Sequence, residues 1–254
     1  MKALLPVILC LINTWAVHAA ERYALVIGNT HYPENGVLVT PLDNCIPDAR
    51  LITITLESVG FRVTKLEDAT KSAMDEALLA WEEKLTKGCE AIVYFAGHGI
   101  EHSGKNYLLG TNARLKAQSR IGEEALEAET VAQAMLLAGA RASILFLDCC
   151  REAPPAEWVT RGTKKRGLAD VKVDGDIIIA YAAKPGDSAL DQPVVAGAGV
   201  LTGHGPYAQA VARFLSTGLK HTDFFQQVRK EVARLDIMAA ARLARASRKR
   251  GTAD

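Results

Sequence analysis

Two short runs limit what this chain can fold into. Ala91-Ile-Val-Tyr-Phe-Ala96 is apolar from end to end, and Ala142 to Leu147 is apolar except for Ser143. Neither alternates apolar with polar residues. Each therefore reads as a strand buried on both faces, the pattern of a parallel sheet covered by helices. Both runs stop on chemically active residues: Gly97-His98-Gly99 follows the first, and Asp148-Cys149-Cys150-Arg151 follows the second. If the two strands are parallel neighbours, His98 and the thiols Cys149 and Cys150 emerge at one carboxyl edge, where α/β sheets carry their sites.

The intervening chain supports this class. Arg22 to Gly28 reads as a buried first strand, and Phe61 to Leu66 as a second. Ala91 to Ala96, Ala142 to Leu147 and Asp176 to Tyr181 follow. Helical spacing is expected from Ala49 to Val59 with a stop at Gly60, from Thr70 to Leu85, and from Glu123 to Ala138. Two closing helices are expected over Tyr207–Leu215 and Asp223–Leu235. Glu101 to Gly110 reads as a hairpin turning at Ser103-Gly104. Strands alternating with helices predict a three-layer α/β/α sandwich around a mostly parallel sheet of about six strands.

At the amino end, Lys2, an apolar run from Ala3 to Ile12 and small residues to Ala20 have the layout of a secretory signal peptide. A spanning helix takes about 20 residues, and this shorter run favours cleavage near Ala19 or Ala20 over the alternative, an uncleaved anchor. The expected division is a leader over 1–20, one domain over 21–235 and a basic tail over 236–254. That makes the product secreted or periplasmic, with no membrane attachment after cleavage.

The formal net charge is +1, and losing Lys2 would balance acids and bases, so nothing calls for nucleic acid. Of five cysteines, Cys45, Cys89, Cys149 and Cys150 remain after the leader. If there is a structural disulfide, it is Cys45 with Cys89, because adjacent cysteines pair only with strain. No Cys/His spacing suggests a metal, and no loop has the acidic pattern of a calcium site. Gly28-Asn-Thr-His does not fit a glycine-rich phosphate loop, which sets a nucleotide-binding domain aside. A redox role for the paired thiols lacks a C-x-x-C.

A thiol attacks a peptide carbonyl as thiolate and needs a base beside it, the part available to His98. Gly99 lets backbone approach closely enough to donate an N–H to an oxyanion, and the N–H of the nucleophile itself can supply a second donor. On the residues alone, either thiol can be the nucleophile.

Tyr94-Phe-Ala-Gly-His-Gly99 and Leu147-Asp-Cys-Cys-Arg151, with Arg22 to Asn29, Asn44-Cys-Ile-Pro-Asp-Ala49 and Arg166-Gly-Leu-Ala169, resemble the caspase-like cysteine peptidases of the metacaspase and bacterial paracaspase kind. The resemblance spans roughly residues 22–232. It implies a caspase-like fold, His98 as general base and, from the D-x-C-R pattern, Cys150 as nucleophile, with Gly99 and Cys150 forming the oxyanion site. It implies Cys45, Asp48 and Asp148 as the pocket for the side chain before the scissile bond, and two carboxylates there favour Arg or Lys. Substrates would be peptides or proteins. They could include this chain's own basic loop at Lys164, Lys165 and Arg166. No cofactor is implied; calcium activation, known in many metacaspases, has no motif here. Two features depart from the family: Ala96 stands where serine is common, and Met238 to Arg250 is Ala/Arg-rich where a closing strand is usual. The competing expectation is a catalytically silent caspase-like module that binds peptides or proteins.

Overall fold

The computed structural model describes residues 20–33, 42–152, 177–182, 203–217 and 223–235, with backbone alone at 150–152. The leader, the basic loop around Lys164 to Arg166 and the tail from 236 lie outside the described residues.

Five parallel strands form the body of the sheet, in the order β2 (Arg62–Glu67), β1 (Arg22–Gly28), β3 (Glu90–His102), β6 (Ala142–Glu152), β7 (Ile178–Tyr181). Two antiparallel strands, β4 (Lys105–Leu109) and β5 (Ala125–Glu127), bring the count to seven. Strand β3 is the hinge of this arrangement. Its first half pairs with β1, its last four residues pair with β4, and β6 runs beside it from Glu90 to Ile100.

Each face of the sheet buries its own core. On one side Leu25, Ile27, Val93, Phe95, Leu145 and Leu147 pack with Met74, Leu78 and Trp81 of α2 (Lys71–Glu82) and Val131 and Met135 of α4 (Ala128–Leu137). On the other, Val26, Tyr94 and Phe146 pack with Ile52 and Leu56 of α1 (Cys45–Ser58), Val211 of α5 (Pro206–Leu215) and Phe224 of the helix over 223–235. This is the expected three-layer α/β/α architecture. Trp81 is fully enclosed, and truncating such a side chain to alanine costs about 3–5 kcal/mol.

Local chemistry sets the helix ends. The Thr70 hydroxyl accepts from the Ala73 N–H and opens α2. Gly60 takes φ +89° beyond the end of α1, where Gly60 and Phe61 N–H groups return to the Glu57 and Leu56 carbonyls. At the amino ends of the strands, Glu90 pairs with Arg22 and Arg141, tying β1, β3 and the entry to β6 together.

The structure corrects several expectations. Strands β3 and β6 continue past Ala96 and Leu147 to His102 and Glu152, because each supplies the other's ladder and β4 covers the far end of β3. The helix expected over Glu123–Ala138 is broken into a short turn, α3 (Ile121–Glu124), then β5, then α4. Pairing with β4 places Ala125 and Leu126 in the core, and this tertiary gain outweighs helix propensity. Cys45 and Cys89 form no disulfide; they belong to the two different cores, on opposite sides of the sheet. Among the described residues, no helix is long and apolar enough to cross a membrane.

Candidate active site

The candidate residues gather where β1 ends and β4 begins along one edge of β3. On the other edge, His98 is the register partner of Cys150, Gly97 of Cys149 and Ala96 of Asp148. Register partners in adjacent strands lie on the same face of a sheet, and successive residues alternate faces. Cys149 is 2% exposed and packs in the core beside Leu145 and Leu147, on the α2/α4 side. Position 150 falls on the opposite face. Positions 149 and 150, adjacent in the sequence, therefore fall on different faces of the sheet.

His98 is 1% exposed. Its ring stands edge-on to Tyr32, with centroids 4.6 Å apart and planes at 62°. The Tyr32 hydroxyl accepts from the His98 backbone N–H at 3.1 Å and donates to the Leu109 carbonyl at 3.2 Å. Gly99 lies inside β3, opposite Leu108 of β4 and Arg151 of β6, rather than in an open turn after the strand.

Of the pocket candidates, Asp148 sits two residues back along β6, and Cys45 and Asp48 lie in the first turn of α1. Gly28 has no side chain, and a Cβ there would meet the Cys45 carbonyl oxygen at 2.5 Å. Its absence lets the first turn of α1 dock on the end of β1, which brings Cys45 and Asp48 to the site. Tyr94 donates to Asp148 Oδ2 at 2.6 Å. Burial pushes the Tyr94 phenol well above its usual range, and the nearby Asp148, Asp48 and Cys45 push it further in the same direction. One buried hydroxyl thus lies within electrostatic reach of all three pocket candidates.

Asp48 is 3% exposed. Its carboxylate accepts the Gly205 N–H at 3.0 and 3.1 Å and pairs with His204 Nδ1 at 3.1 Å. Burial raises its pKa, against the lowering effect of the His204 and Gly205 hydrogen bonds. The Tyr207 hydroxyl is buried with no hydrogen-bond partner among the described residues. Burial pushes this phenol well above its usual range, and the nearby Asp148 pushes it further. Among the described residues, no group of three or more His, Cys, Asp or Glu could hold a metal ion.

Sequence reasoning overlooked Tyr32, Tyr94 and His204 as parts of this site. Tyr94 reads as one more apolar strand residue. His204 sits between two glycines, in a stretch that reads only as surface loop. Tyr32 had one signal, its position just past the end of β1 at the carboxyl edge of the sheet.

The comparisons with known proteins agree with this architecture. The chain is 29% identical over 177 residues to human mucosa-associated lymphoid tissue lymphoma translocation protein 1, covering 68% of this chain and 20% of that protein. The mouse homologue matches at the same identity over the same length, covering 19% of its own chain. This chain therefore spans about a fifth of the length of the curated relatives it matches. The family model of the caspase domain matches residues 21–250, nearly the whole chain. With that match, a mostly parallel sandwich and a histidine and cysteine paired at its carboxyl edge, the chain belongs to the caspase-domain family of cysteine peptidases.

Proposed function

We propose that this protein is a cysteine endopeptidase that hydrolyses peptide bonds after Arg or Lys through a His98/Cys150 dyad. The observation that carries the reading is the register pairing of positions 98 and 150 in adjacent parallel strands, while Cys149 turns into the opposite core. His98 takes the thiol proton of Cys150, and the thiolate attacks the scissile carbonyl carbon. Backbone N–H groups of Gly99 and Cys150 receive the resulting oxyanion. The imidazolium then protonates the leaving amine as the C–N bond breaks. Water, with His98 again as base, cleaves the thioester and releases the acid and the free thiol.

Preference for a basic side chain rests on Asp48 and Asp148, two carboxylates that share the surroundings of Tyr94. A guanidinium entering there competes with His204 for Asp48. The same acidic pocket would accept Lys164, Lys165 or Arg166 of the chain's own loop. Export by the leader at 1–20 completes the reading; a mature amino terminus near Ala20 or Glu21, found by N-terminal sequencing, would support it.

One observation favours the second reading, a silent caspase-like binding module. Gly99 sits within a ladder between β4 and β6, so a catalysing state must open the ends of β3 and β6 to present oxyanion donors. A fluorogenic peptide panel varied at the residue before the scissile bond, run beside Cys150→Ala, separates the two. Hydrolysis after Arg or Lys that vanishes in the variant supports the peptidase, and absence of hydrolysis in both supports the binding module.

A further inference from the structure

We infer that Tyr32 is a positioning residue for His98, closing a seam in the sheet and forming a wall that fixes the imidazole. The inference rests on the reading of His98 as the general base. It starts from a gap in strand pairing. Along one edge of β3, pairing with β1 stops at Ala96, opposite Gly28, and pairing with β4 starts at Gly99, opposite Leu108. Among the described residues, Gly97 and His98 therefore have no strand beside them on that edge.

The Tyr32 hydroxyl fills the gap. It accepts from the His98 N–H and donates to the carbonyl of Leu109 in β4, so one oxygen stands in for the missing ladder. With a donor and an acceptor both engaged, the phenol has a single orientation, and its ring is held edge-on against the imidazole. Burial keeps the phenol protonated, as its donor role requires.

Two further features make this arrangement specific. A Cβ at Gly97 would lie 2.7 Å from the Tyr32 hydroxyl oxygen, so the first glycine of Gly97-His98-Gly99 gives Tyr32 its place. The residues leading to Tyr32 are also anchored one by one. The Asn29 N–H donates to the Ala96 carbonyl at 2.9 Å, and its buried side chain bonds both backbone groups of Ala69 and the Leu109 carbonyl. Asp68 Oδ1 accepts from the N–H groups of Thr30 and His31 at 2.8 and 2.9 Å. Such anchoring of three consecutive residues leaves the Tyr32 ring little freedom to move away from His98.

The test compares wild type with Tyr32→Phe, which keeps the ring and loses the hydroxyl, and Tyr32→Ala, which loses both. Peptide hydrolysis is measured across pH with active sites titrated. Small displacements of catalytic groups cost up to about a hundredfold in rate. Tyr32→Phe is therefore expected to lower kcat about tenfold and Tyr32→Ala about a hundredfold, with KM within about twofold, and the acid limb of kcat/KM should shift in both. Partial rescue by Phe separates the wall from the hydroxyl.

A second readout needs no turnover: the ring proton and carbon resonances of His98 in ¹³C-histidine-labelled full-length protein carrying Cys150→Ala, with and without each Tyr32 substitution. Those resonances should move as the neighbouring ring is freed or removed. If wild type hydrolyses no peptide while the resonances move, the peptidase reading fails and the positioning role stands. Unmoved resonances, or a loss of kcat fully matched by loss of titratable sites with an unshifted acid limb, overturn the inference. If Tyr32→Ala does not fold, Tyr32→Phe decides by the same readouts.

Discussion

Replacing Asp48 with asparagine should separate what this carboxylate does for substrate from what it does for the fold. The group is almost wholly buried, shares the Gly205 N–H between its two oxygens and pairs with His204. Burial nonetheless raises its pKa above the ordinary aspartate value of 3.8, against those hydrogen bonds. A carboxyl whose pKa rises on folding holds its proton more tightly in the folded chain. Its contribution to stability is complete below pH 3.8 and is lost as pH rises through the folded value. At neutral pH the ionised carboxylate therefore costs stability. Asparagine carries no charge and keeps a carbonyl oxygen for the Gly205 N–H. The expected Tm of Asp48→Asn at pH 7 to 8 equals or exceeds that of wild type.

Catalysis should move the other way. A charged hydrogen bond is worth about 1.5–3 kcal/mol, so kcat/KM for a substrate with Arg before the scissile bond should fall roughly 10- to 150-fold. A matched substrate with a neutral side chain should lose little. The assay pairs fluorogenic Arg and Gln peptides with calorimetric unfolding of the same preparations. A variant that unfolds several degrees lower while keeping its Arg preference would refute the reasoning and leave Asp48 as a pin between α1 and the segment before α5.

Cys150→Ala should abolish hydrolysis, whereas Cys149→Ala should keep turnover and lose about 0.5–3 kcal/mol of stability, as expected for a core truncation; the reverse pattern in rate assays and denaturant unfolding would overturn the assignment. Hydrogen bonds from Arg50, then Lys65, hold Glu67 at about 2. A depressed carboxylate contributes stability above pH 4.5 that is lost as pH falls toward 2, so Glu67→Gln should flatten the drop of Tm over that window; an unchanged curve counts against the ion pair. Incubated wild type should be cut after Lys164, Lys165 or Arg166 while Cys150→Ala stays whole; identical intact masses with and without calcium would rule self-processing out.

Much of the scaffold was legible because its signals are local. Tyr23 to Gly28 is a continuous buried run, Thr70 caps a helix whose Met74, Leu78 and Trp81 share a face, and Ser103-Gly104 turns a hairpin. The extension of β3 past Ala96 was not legible. Gly97-His98-Gly99 carries loop-forming residues, and only β4 and β6, distant in sequence, keep it extended. The broken helix at Ala125 failed for the same reason, since its competitor is a strand partner and not a local preference. The residues alone leave Cys149 and Cys150 interchangeable; the D-x-C-R resemblance chooses position 150, and the register with β3 puts it on the face opposite Cys149. The partner of Asp48, His204, lies 156 positions away, and no spacing rule reaches that far.

The central position of β3 also bears on when the site comes into being during synthesis. Strands β1 to β5 and helices α1 to α4 are complete within residues 22–137, before any of β6 has been made. The contact of β3 with β6 includes the hydrogen bond from Tyr94 to Asp148, 54 residues apart, and non-local parallel pairing is slow to form. Domains fold as the chain emerges from its amino end. His98 and its Tyr32 wall can therefore be in place while the proposed nucleophile is still absent. On the proposed mechanism, the nascent chain gains the means to cut peptides only once β6 is laid against β3.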